Sequence, residues 1–338
     1  MRRFWVACLC VFLAAALATQ TPRRRRGSRR RAAPRPQLVL DSAVVNDPAT
    51  TDPIGPSSAG SAVLRAEILL DRAHFSPGEI DARYGRNLKK AIAAFQADRG
   101  LSATGVVDPT TWGALDTDTA AVLIPITVAP ETLAGPFQPD IPRDMLEKAK
   151  LPALNYGSPL EAIGEEFHSS PQLLRLLNPS ATFQTAGEQI LVPNVKRSPP
   201  GKAASLLVSE SDESVTATDS AGRVLGYYPA TIGSLHDPLP LGRWKIAGVS
   251  RNPAFHYNPE LFWDAKSTDE KARIPPGPNN PVGLVWIDLS KAHYGIHGTP
   301  EPSEIGRTQS HGCIRLTNWD AWELAGMVSP GVPAILQQ

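Results

Sequence analysis

The chain has 338 residues, of which 42% are hydrophobic and 20% charged, a balance typical of a soluble globular protein with room for two or three domains. Its net charge of +1 hides an asymmetry. Ten arginines and no acidic residues lie within residues 1–36, and the rest of the chain carries 24 basic against 33 acidic residues. An acidic body of this kind is a poor nucleic-acid binder, so we expect no nucleic-acid partner.

The first 18 residues have the pattern of an export signal. Two arginines open it, an apolar core runs from Phe4 to Leu17, and a small-residue cleavage site ends at Ala18. An uncleaved anchor is the alternative, although the apolar run is short for a membrane span. We predict export to the periplasm or cell envelope, with membrane contact only through this signal. Residues 19–60, rich in Arg, Pro, Gly and Ser, are predicted to be a disordered linker.

Residues 61–116 predict a compact helical module. Apolar residues at helical spacing define one buried face, namely Leu88, Ala91, Ile92 and Phe95. Asp108 before Pro109 has the pattern of an N-cap followed by proline in the first turn of the next helix. The stretch YGRNLKKAIAAFQADRGLSATGVVDPTTWGAL resembles the three-helix peptidoglycan-binding module of bacterial cell-wall enzymes. The resemblance implies that this module binds peptidoglycan.

Residues 154–195 predict a second small unit with two short helices. Each helix begins with a Ser-Pro pair, at residues 158–159 and 170–171, and AGEQILVPNV then predicts a strand. The unit is similar to a LysM module, a βααβ fold that recognises N-acetylglucosamine polymers. Its entry strand would fall in LPALNYGSPL, which lacks the usual alternation. A packing module without a sugar ligand is the alternative.

Residues 203–338 change to short β-rich runs separated by Gly, Pro, Asn and Asp. Such runs predict a mainly-β domain, a sandwich or a curved sheet, with a core of its own. TNWDAWELAGMVSPG predicts one helix, capped by Asn318, and VPAILQ predicts a closing strand. The predicted fold class is therefore multidomain α+β.

Cys313 is the only cysteine beyond the predicted signal. An exported chain cannot use a single thiol for an intramolecular disulfide, which leaves a reactive thiolate, a metal ligand and an inert buried thiol as alternatives. His297, His311 and Cys313 supply three zinc-type ligands for the metal alternative. For a thiolate, either histidine is a candidate base. His311 would share a strand face with Cys313, and His297 lies across a loop rich in Pro and Gly.

IHGT followed by SHGCIRL resembles the catalytic domain of the YkuD-type L,D-transpeptidases, and flanking segments extend the resemblance over most of residues 203–336. It implies that Cys313 attacks the carbonyl between the third and fourth residues of a peptidoglycan stem peptide. His297 would be the general base and later the acid, oriented by the backbone carbonyl of Gly298. The amides of Gly312 and Cys313 would stabilise the oxyanion. This chemistry needs no cofactor and no metal.

The same resemblance places Ser310 and His311 in the substrate pocket, the alternative being that they only pack the loop. Arg315 stands where many members of the family have asparagine. A guanidinium can hold a carboxylate through two hydrogen bonds, and the stem peptide ends in a carboxylate. We therefore expect Arg315 to bind substrate, with a structural salt bridge as the alternative.

The sequence as a whole indicates an exported enzyme whose partners are peptidoglycan stem peptides and glycan strands. It would form an acyl-enzyme with a tetrapeptide stem, release D-alanine, and pass the acyl group to a neighbouring stem as a direct cross-link. Three alternatives remain: hydrolysis as an L,D-carboxypeptidase, attachment of a lipoprotein lysine, and a non-catalytic wall-binding scaffold.

Overall fold

The computed structural model describes residues 38–338. The predicted signal peptide at 1–18 and residues 19–37 of the predicted linker lie outside this range. Within it, no helix is both long enough and apolar enough to cross a bilayer.

Residues 38–60 are not the disordered linker that their composition predicts. A short helix, α1 (Ser42–Asn46), buries Val45, and Ile54 is buried a few residues later. The indole Nε1 of Trp112 donates to the carbonyl of Asp52 at 2.9 Å. Two apolar side chains therefore attach this segment to the helical module, although the surrounding residues are polar and rich in turn formers.

The helical module has the three helices that the sequence predicts: α2 (Ser61–Arg72), α3 (Arg86–Asp98) and α4 (Pro109–Leu115). The predicted apolar face of α3 is buried, comprising Leu88, Ala91, Ile92 and Phe95. Asp108 caps α4 as predicted, because its carboxylate accepts a hydrogen bond from the Thr111 amide at 2.8 Å.

The middle unit (residues 123–195) begins earlier than predicted. Strand β1 (Leu123–Thr127) pairs antiparallel with β2 (Gln189–Pro193), and no strand forms in LPALNYGSPL. Between them lie the helices α5 (Pro130–Leu133), α6 (Met145–Lys148), α7 (Pro159–Glu166) and α8 (Pro171–Leu177). The predicted entry strand was wrong because a segment of about 30 residues, 128–158, separates β1 from α7.

The C-terminal domain (residues 203–338) is mainly β, as predicted. Nine of its strands form one sheet in the order β5-β4-β3-β13-β7-β10-β11-β12-β6, and β8 pairs with β9. The strands are β3 (Ser205–Ser209), β4 (Ser214–Thr218), β5 (Val224–Pro229), β6 (Thr231–Ile232), β7 (Gly242–Arg251), β8 (Phe255–Tyr257), β9 (Ala272–Ile274), β10 (Val285–Leu289), β11 (Gly295–His297), β12 (Ile314–Arg315) and β13 (Pro333–Gln337).

Helix α9 (Asn318–Met327) packs on this sheet, and its N-cap differs from the prediction. Thr317 is the cap, and its hydroxyl accepts from the Asp320 amide at 3.2 Å. Asn318 is instead buried. Its Oδ1 accepts from the Leu284 amide at 3.0 Å and its Nδ2 donates to the Pro278 carbonyl at 3.2 Å, which fixes the strand connection in front of β10.

The C-terminal domain has the core of its own that the sequence predicts, but one of its aromatic side chains packs outside that core. Tyr227 of β5 is buried within the core of the helical module. Its amide donates to the His74 carbonyl at 2.8 Å, and its carbonyl accepts from the Ser76 amide at 2.9 Å. Lys90 of α3 also pairs with Glu213 at 2.9 Å. The helical module and the sheet therefore share an interface that period-2 alternation alone cannot reveal.

Candidate active site

Cys313 lies at the end of a bend that leads into β12. Gly312 before it has a φ of +90°, a backbone conformation in which a side chain is strained, and a Cβ there would stand 2.8 Å from Tyr294 Cε1. This turn contradicts the extended geometry predicted for residues 311–313. His311 and Cys313 do not share a strand face. Both nevertheless line one cavity of about 1450 Å³, together with His297.

His297 ends β11, the neighbour of β12 in the sheet, and the two strands run parallel with His297 beside Arg315. The imidazole is buried at 4% exposure and stacks on Trp286, with ring centroids 5.5 Å apart. Its Nδ1 lies 2.7 Å from the Gly298 carbonyl, the contact expected from the sequence. A carbonyl oxygen only accepts, so Nδ1 carries the proton and Nε2 keeps its lone pair.

Asn318 behind the site explains why residue 298 is glycine. A Cβ at this position would come within 3.3 Å of the Asn318 Cα and Cγ atoms. The buried asparagine therefore fixes the peptide whose carbonyl holds the histidine ring. Sequence reasoning assigned Asn318 only a capping role and missed this one, which depends on packing between distant segments.

Burial sets the protonation of the thiol and the imidazole. It lowers the pKa of His297 to about 3, helped by the positive charge of Arg315 and opposed by the bond to Gly298. Burial also raises the pKa of Cys313, against the opposing effects of a Gly295 backbone hydrogen bond and of Arg315. At neutral pH both groups are therefore uncharged, and the thiol is not a preformed thiolate.

Arg315 faces the same cavity, and the guanidinium forms no salt bridge with any carboxylate of residues 38–338. Its Nη1 contacts only the Gln309 carbonyl, at 3.4 Å. The structural salt bridge that was the alternative for this residue is thus not formed. A cation held beside Cys313 and His297 without an anionic partner can receive an anion from outside.

Ser310 and His311 have different surroundings. Ser310 is buried and, contrary to the prediction, does not line the cavity. Its hydroxyl donates to the Cys313 carbonyl at 2.6 Å and its amide to Gly233, so it closes the loop that carries the thiol. His311 does line the cavity, and its Nε2 lies 2.8 Å from Asp264 Oδ1.

Two walls of the cavity were missed by sequence reasoning. One is the cover segment (residues 253–274), which includes β8 and β9 and places Phe262 and Asp264 against His311. The other is α6 of the middle unit, whose Asp144 pairs with Lys266 of the cover segment at 2.6 Å. About 170 residues separate α6 from Cys313, and no local pattern marks it as part of the site.

The three zinc-type side chains do not assemble. Within residues 38–338, no three His, Cys, Asp or Glu side chains converge in a way that could hold a metal ion. His297 keeps only Nε2 free, because its Nδ1 faces the Gly298 carbonyl, and His311 is engaged by Asp264. The arrangement at Cys313 is therefore a half-buried thiol and a neutral imidazole, with a guanidinium at the same cavity that has no salt-bridge partner within residues 38–338.

These features define a thiol site at one end of a mainly-β domain. A model of the YkuD family, the L,D-transpeptidase catalytic domain, matches residues 204–336, and a model of a peptidoglycan binding domain family matches residues 59–115. These two matches leave residues 116–203 uncovered.

Curated relatives agree with the family match. The YkuD protein of Bacillus licheniformis is 32% identical over 177 residues, which are 52% of this chain and 91% of the relative, and YkuD of Bacillus subtilis is 33% identical over the same lengths. L,D-transpeptidase 3 from Mycobacterium tuberculosis, solved with a faropenem-derived adduct, is 20% identical with a TM-score of 0.33, covering 44% of this chain and 66% of that chain. The chain belongs to the L,D-transpeptidase family, a family of cell-wall enzymes, and carries a peptidoglycan binding domain ahead of the catalytic one.

Proposed function

We propose that this chain cross-links peptidoglycan stem peptides through a thioester on Cys313, with His297 as the proton carrier. The observation that carries the proposal is the 2.7 Å contact between His297 Nδ1 and the Gly298 carbonyl. It leaves Nε2 as the nitrogen that can accept a proton, on a ring that lines the same cavity as the only described cysteine.

In the first half-reaction, the Cys313 sulfur bonds to the carbonyl carbon between the third and fourth residues of a tetrapeptide stem. The thiol proton passes to His297 Nε2. The C–N bond then breaks, and Nε2 returns the proton to the departing amine, so that free D-alanine leaves and a thioester remains. In the second half-reaction, an acceptor amine attacks the thioester, gives its proton to Nε2, and the proton returns to the departing sulfur.

The electrostatics favour proton transfer at the moment of attack rather than a resting ion pair. Both groups are uncharged at neutral pH, and the low pKa of His297 makes imidazolium a strong acid toward the leaving amine. Arg315 would stabilise the negative charge that develops on sulfur. The backbone amides of Gly312 and Cys313 are the proposed oxyanion donors, since the turn at Gly312 frees its N–H from the strand ladder.

Substrate recognition is proposed to use the free guanidinium. Arg315 would take a carboxylate of the stem peptide through two hydrogen bonds, which its lack of an anionic partner permits. His311, oriented by Asp264, would line the opposite wall. Ser310 keeps the loop closed and would affect substrate only through the position of Cys313.

The upstream units are proposed to hold the enzyme on the wall. The helical module is the part matched by the peptidoglycan binding domain family. For the middle unit, the support is the antiparallel pair of β1 and β2 around four helices, of which the last two, α7 and α8, correspond to the helices of a LysM module, while α5 and α6 are additional. Export to the periplasm or cell envelope belongs to the same proposal.

The test is mass spectrometry of muropeptides incubated with the chain from residue 19 onward, with Cys313→Ser as the control. Cross-linked dimers with release of D-alanine support the proposal. Tripeptides without dimers would show an L,D-carboxypeptidase, and a product only with a lysine-bearing lipoprotein peptide would show the other acceptor. No product from the parent chain, or equal product from Cys313→Ser, would exclude the proposed chemistry.

A further inference from the structure

A second cavity, of about 860 Å³, lies between the middle unit and the C-terminal domain. No residue that lines it also lines the catalytic cavity. One side is formed by residues 131–137 and α7 of the middle unit, and the other by residues 197–200 and α9. Neither unit encloses this space alone, so whatever binds there contacts both.

Aromatic rings form much of its lining. Trp322 on α9 is 47% exposed, an unusual exposure for tryptophan, and the Arg251 guanidinium lies over its ring at 5.2 Å from the centroid. Trp319 is 8% exposed and stacks on His168 at 5.2 Å. Its indole N–H is buried without a hydrogen-bond partner anywhere in residues 38–338, so the protein itself leaves this donor unsatisfied. Tyr156 lines the opposite side.

The charges that line the cavity leave a small excess of acid. Arg197 and Glu323 pair with each other. This leaves Arg251 and the carboxylates of Glu131 and Glu166, neither of which has a salt-bridge partner within residues 38–338. Burial raises the pKa of Glu165 to about 8, so this third acid is mostly uncharged at neutral pH. A strongly anionic ligand would meet this excess of carboxylates, and a strongly cationic one would meet Arg251. An uncharged ligand with hydroxyl groups and an apolar ring face matches both the aromatic rings and the acceptors.

We propose that this cavity binds sugar residues of a peptidoglycan glycan strand. A pyranose ring would stack on Trp322, and the carboxylates of Glu131 and Glu166 would accept from its hydroxyl groups. The inference rests on the proposed function, because that function places glycan strands beside the enzyme. It differs from sugar binding by a LysM-like module alone, since the stacking ring belongs to the catalytic domain.

Isothermal titration calorimetry of the chain from residue 19 onward with chitohexaose, an uncharged N-acetylglucosamine hexamer, tests the inference. Trp322→Ala should weaken binding by about tenfold or more. The matched control is Trp263→Ala, a 60% exposed tryptophan on the cover segment, which should leave chitohexaose affinity unchanged. Because Trp322 is half-exposed and outside the catalytic cavity, its variant should acylate Cys313 with a carbapenem at the parent rate, which also reports a native fold.

Three results would overturn the inference. If Trp322→Ala and Glu166→Gln both bind chitohexaose as tightly as the parent chain, the sugar binds elsewhere. If hexalysine binds more tightly than chitohexaose, the cavity is a cation site. No chitohexaose binding by a chain that still cross-links muropeptides would exclude the glycan site while the proposed function stands. Conversely, Trp322-dependent binding by a chain that forms no acyl-enzyme would exclude the proposed function and keep the glycan site.

Discussion

Two polar clusters in this protein are built on opposite principles. The junction cluster (Asp71, His74, His168, Arg197 and Glu323) joins all three units of the chain. Arg197 pairs with Asp71 at 2.6 Å and with Glu323 at 2.7 Å, His74 lies 3.0 Å from Glu323, and His168 lies 3.1 Å from Asp71. Although burial opposes ionisation, Arg197 and His168 hold the pKa of Asp71 at about 2. Every member thus has an oppositely charged or polar partner.

The catalytic cluster of His297, Cys313 and Arg315 lacks such compensation. Burial keeps the imidazole and the thiol uncharged, and the guanidinium has no carboxylate within salt-bridge distance in residues 38–338. Unpaired groups of this kind cost stability and persist where a reaction or a ligand uses them. The comparison teaches that satisfied buried charges indicate cohesion between units, and unsatisfied ones indicate chemistry.

The largest effect should come from the catalytic cluster. Cys313→Ser should abolish carbapenem acylation, and His297→Ala should slow it by roughly 10²–10⁴-fold, the usual contribution of a general acid–base group. Stopped-flow fluorescence with mass spectrometry of the adduct measures both. Thermal unfolding should show that both variants remain folded, since neither removes a buried charge partner.

His311→Ala is the matched control, because His311 is the second histidine of the same cavity and is engaged by Asp264. It should acylate at a rate close to that of the parent chain. A large loss of acylation rate in His311→Ala together with normal acylation in His297→Ala would make His311 the base and contradict the assignment of His297.

The junction cluster should show the reverse pattern. Arg197→Ala leaves Asp71 buried with only His168 as a partner, so the free energy of unfolding should fall by about 3–5 kcal/mol. Urea denaturation measures this loss. Arg223→Ala is the control, since the exposed Arg223–Asp219 pair should contribute little.

Folded Arg197→Ala should still acylate Cys313 at the parent rate per active site. If its free energy of unfolding instead falls no further than that of Arg223→Ala, the junction cluster does not hold the units together. If acylation falls in proportion to stability, the two clusters are coupled and the contrast between them fails.

The acid limb of the pH–rate profile distinguishes a His297 imidazole with a strongly lowered pKa from one with the usual pKa. With a His297 pKa of about 3, acylation at pH 5 should stay within about twofold of its value at pH 7. An imidazole at the usual pKa of about 6.5 would lose roughly 25-fold in its neutral fraction, and hence in rate, over this interval. The same shift removes stability in acid, because the unfolded histidine takes up a proton below about pH 6.5 and the folded one does not until about pH 3.

A carbapenem whose acylation rate falls tenfold or more by pH 5 would contradict this assignment. Arg315→Ala is the variant that sharpens it. Removing the neighbouring positive charge should raise the His297 pKa and move the acid limb toward neutral pH, whereas Arg315→Lys should not.

Sequence reasoning recovered the parts of the fold whose signals are local. The helix face of Leu88 and Phe95 and the cap at Asp108 follow from spacing and from side-chain chemistry within one turn, and the structure has them as predicted. The strands of the C-terminal domain follow from short β-rich runs separated by turn-forming residues. The burial of Val45 and Ile54 was not predicted, because two apolar residues in a polar segment form no periodic pattern. They are buried because they pack against the core of the neighbouring helical module.

The site shows the same limit. Cys313 and His297 stand out by rarity and by resemblance, and the Gly298 contact lies one residue from the histidine. The positions of Asn318, of α6 and of the cover segment depend on contacts between segments far apart in the chain. The strand face predicted for His311 and Cys313 was wrong because a single positive φ at Gly312 turns the chain, and sequence cannot distinguish this glycine from one within a strand.

The smallest effect should come from Arg315→Lys, which keeps the positive charge and removes the two-pronged donor. If Arg315 binds a stem-peptide carboxylate, cross-linking of muropeptides should fall by about tenfold, the order expected for one charged hydrogen bond. A carbapenem, which carries no stem peptide, should still acylate Cys313 at a near-normal rate. The retained charge keeps the His297 pKa low, so the pH profile serves as an internal control. Equal slowing of both reagents would show that Arg315 maintains the site's geometry. Unchanged cross-linking would show that the carboxylate binds elsewhere, and the free guanidinium would then serve only the charge on sulfur.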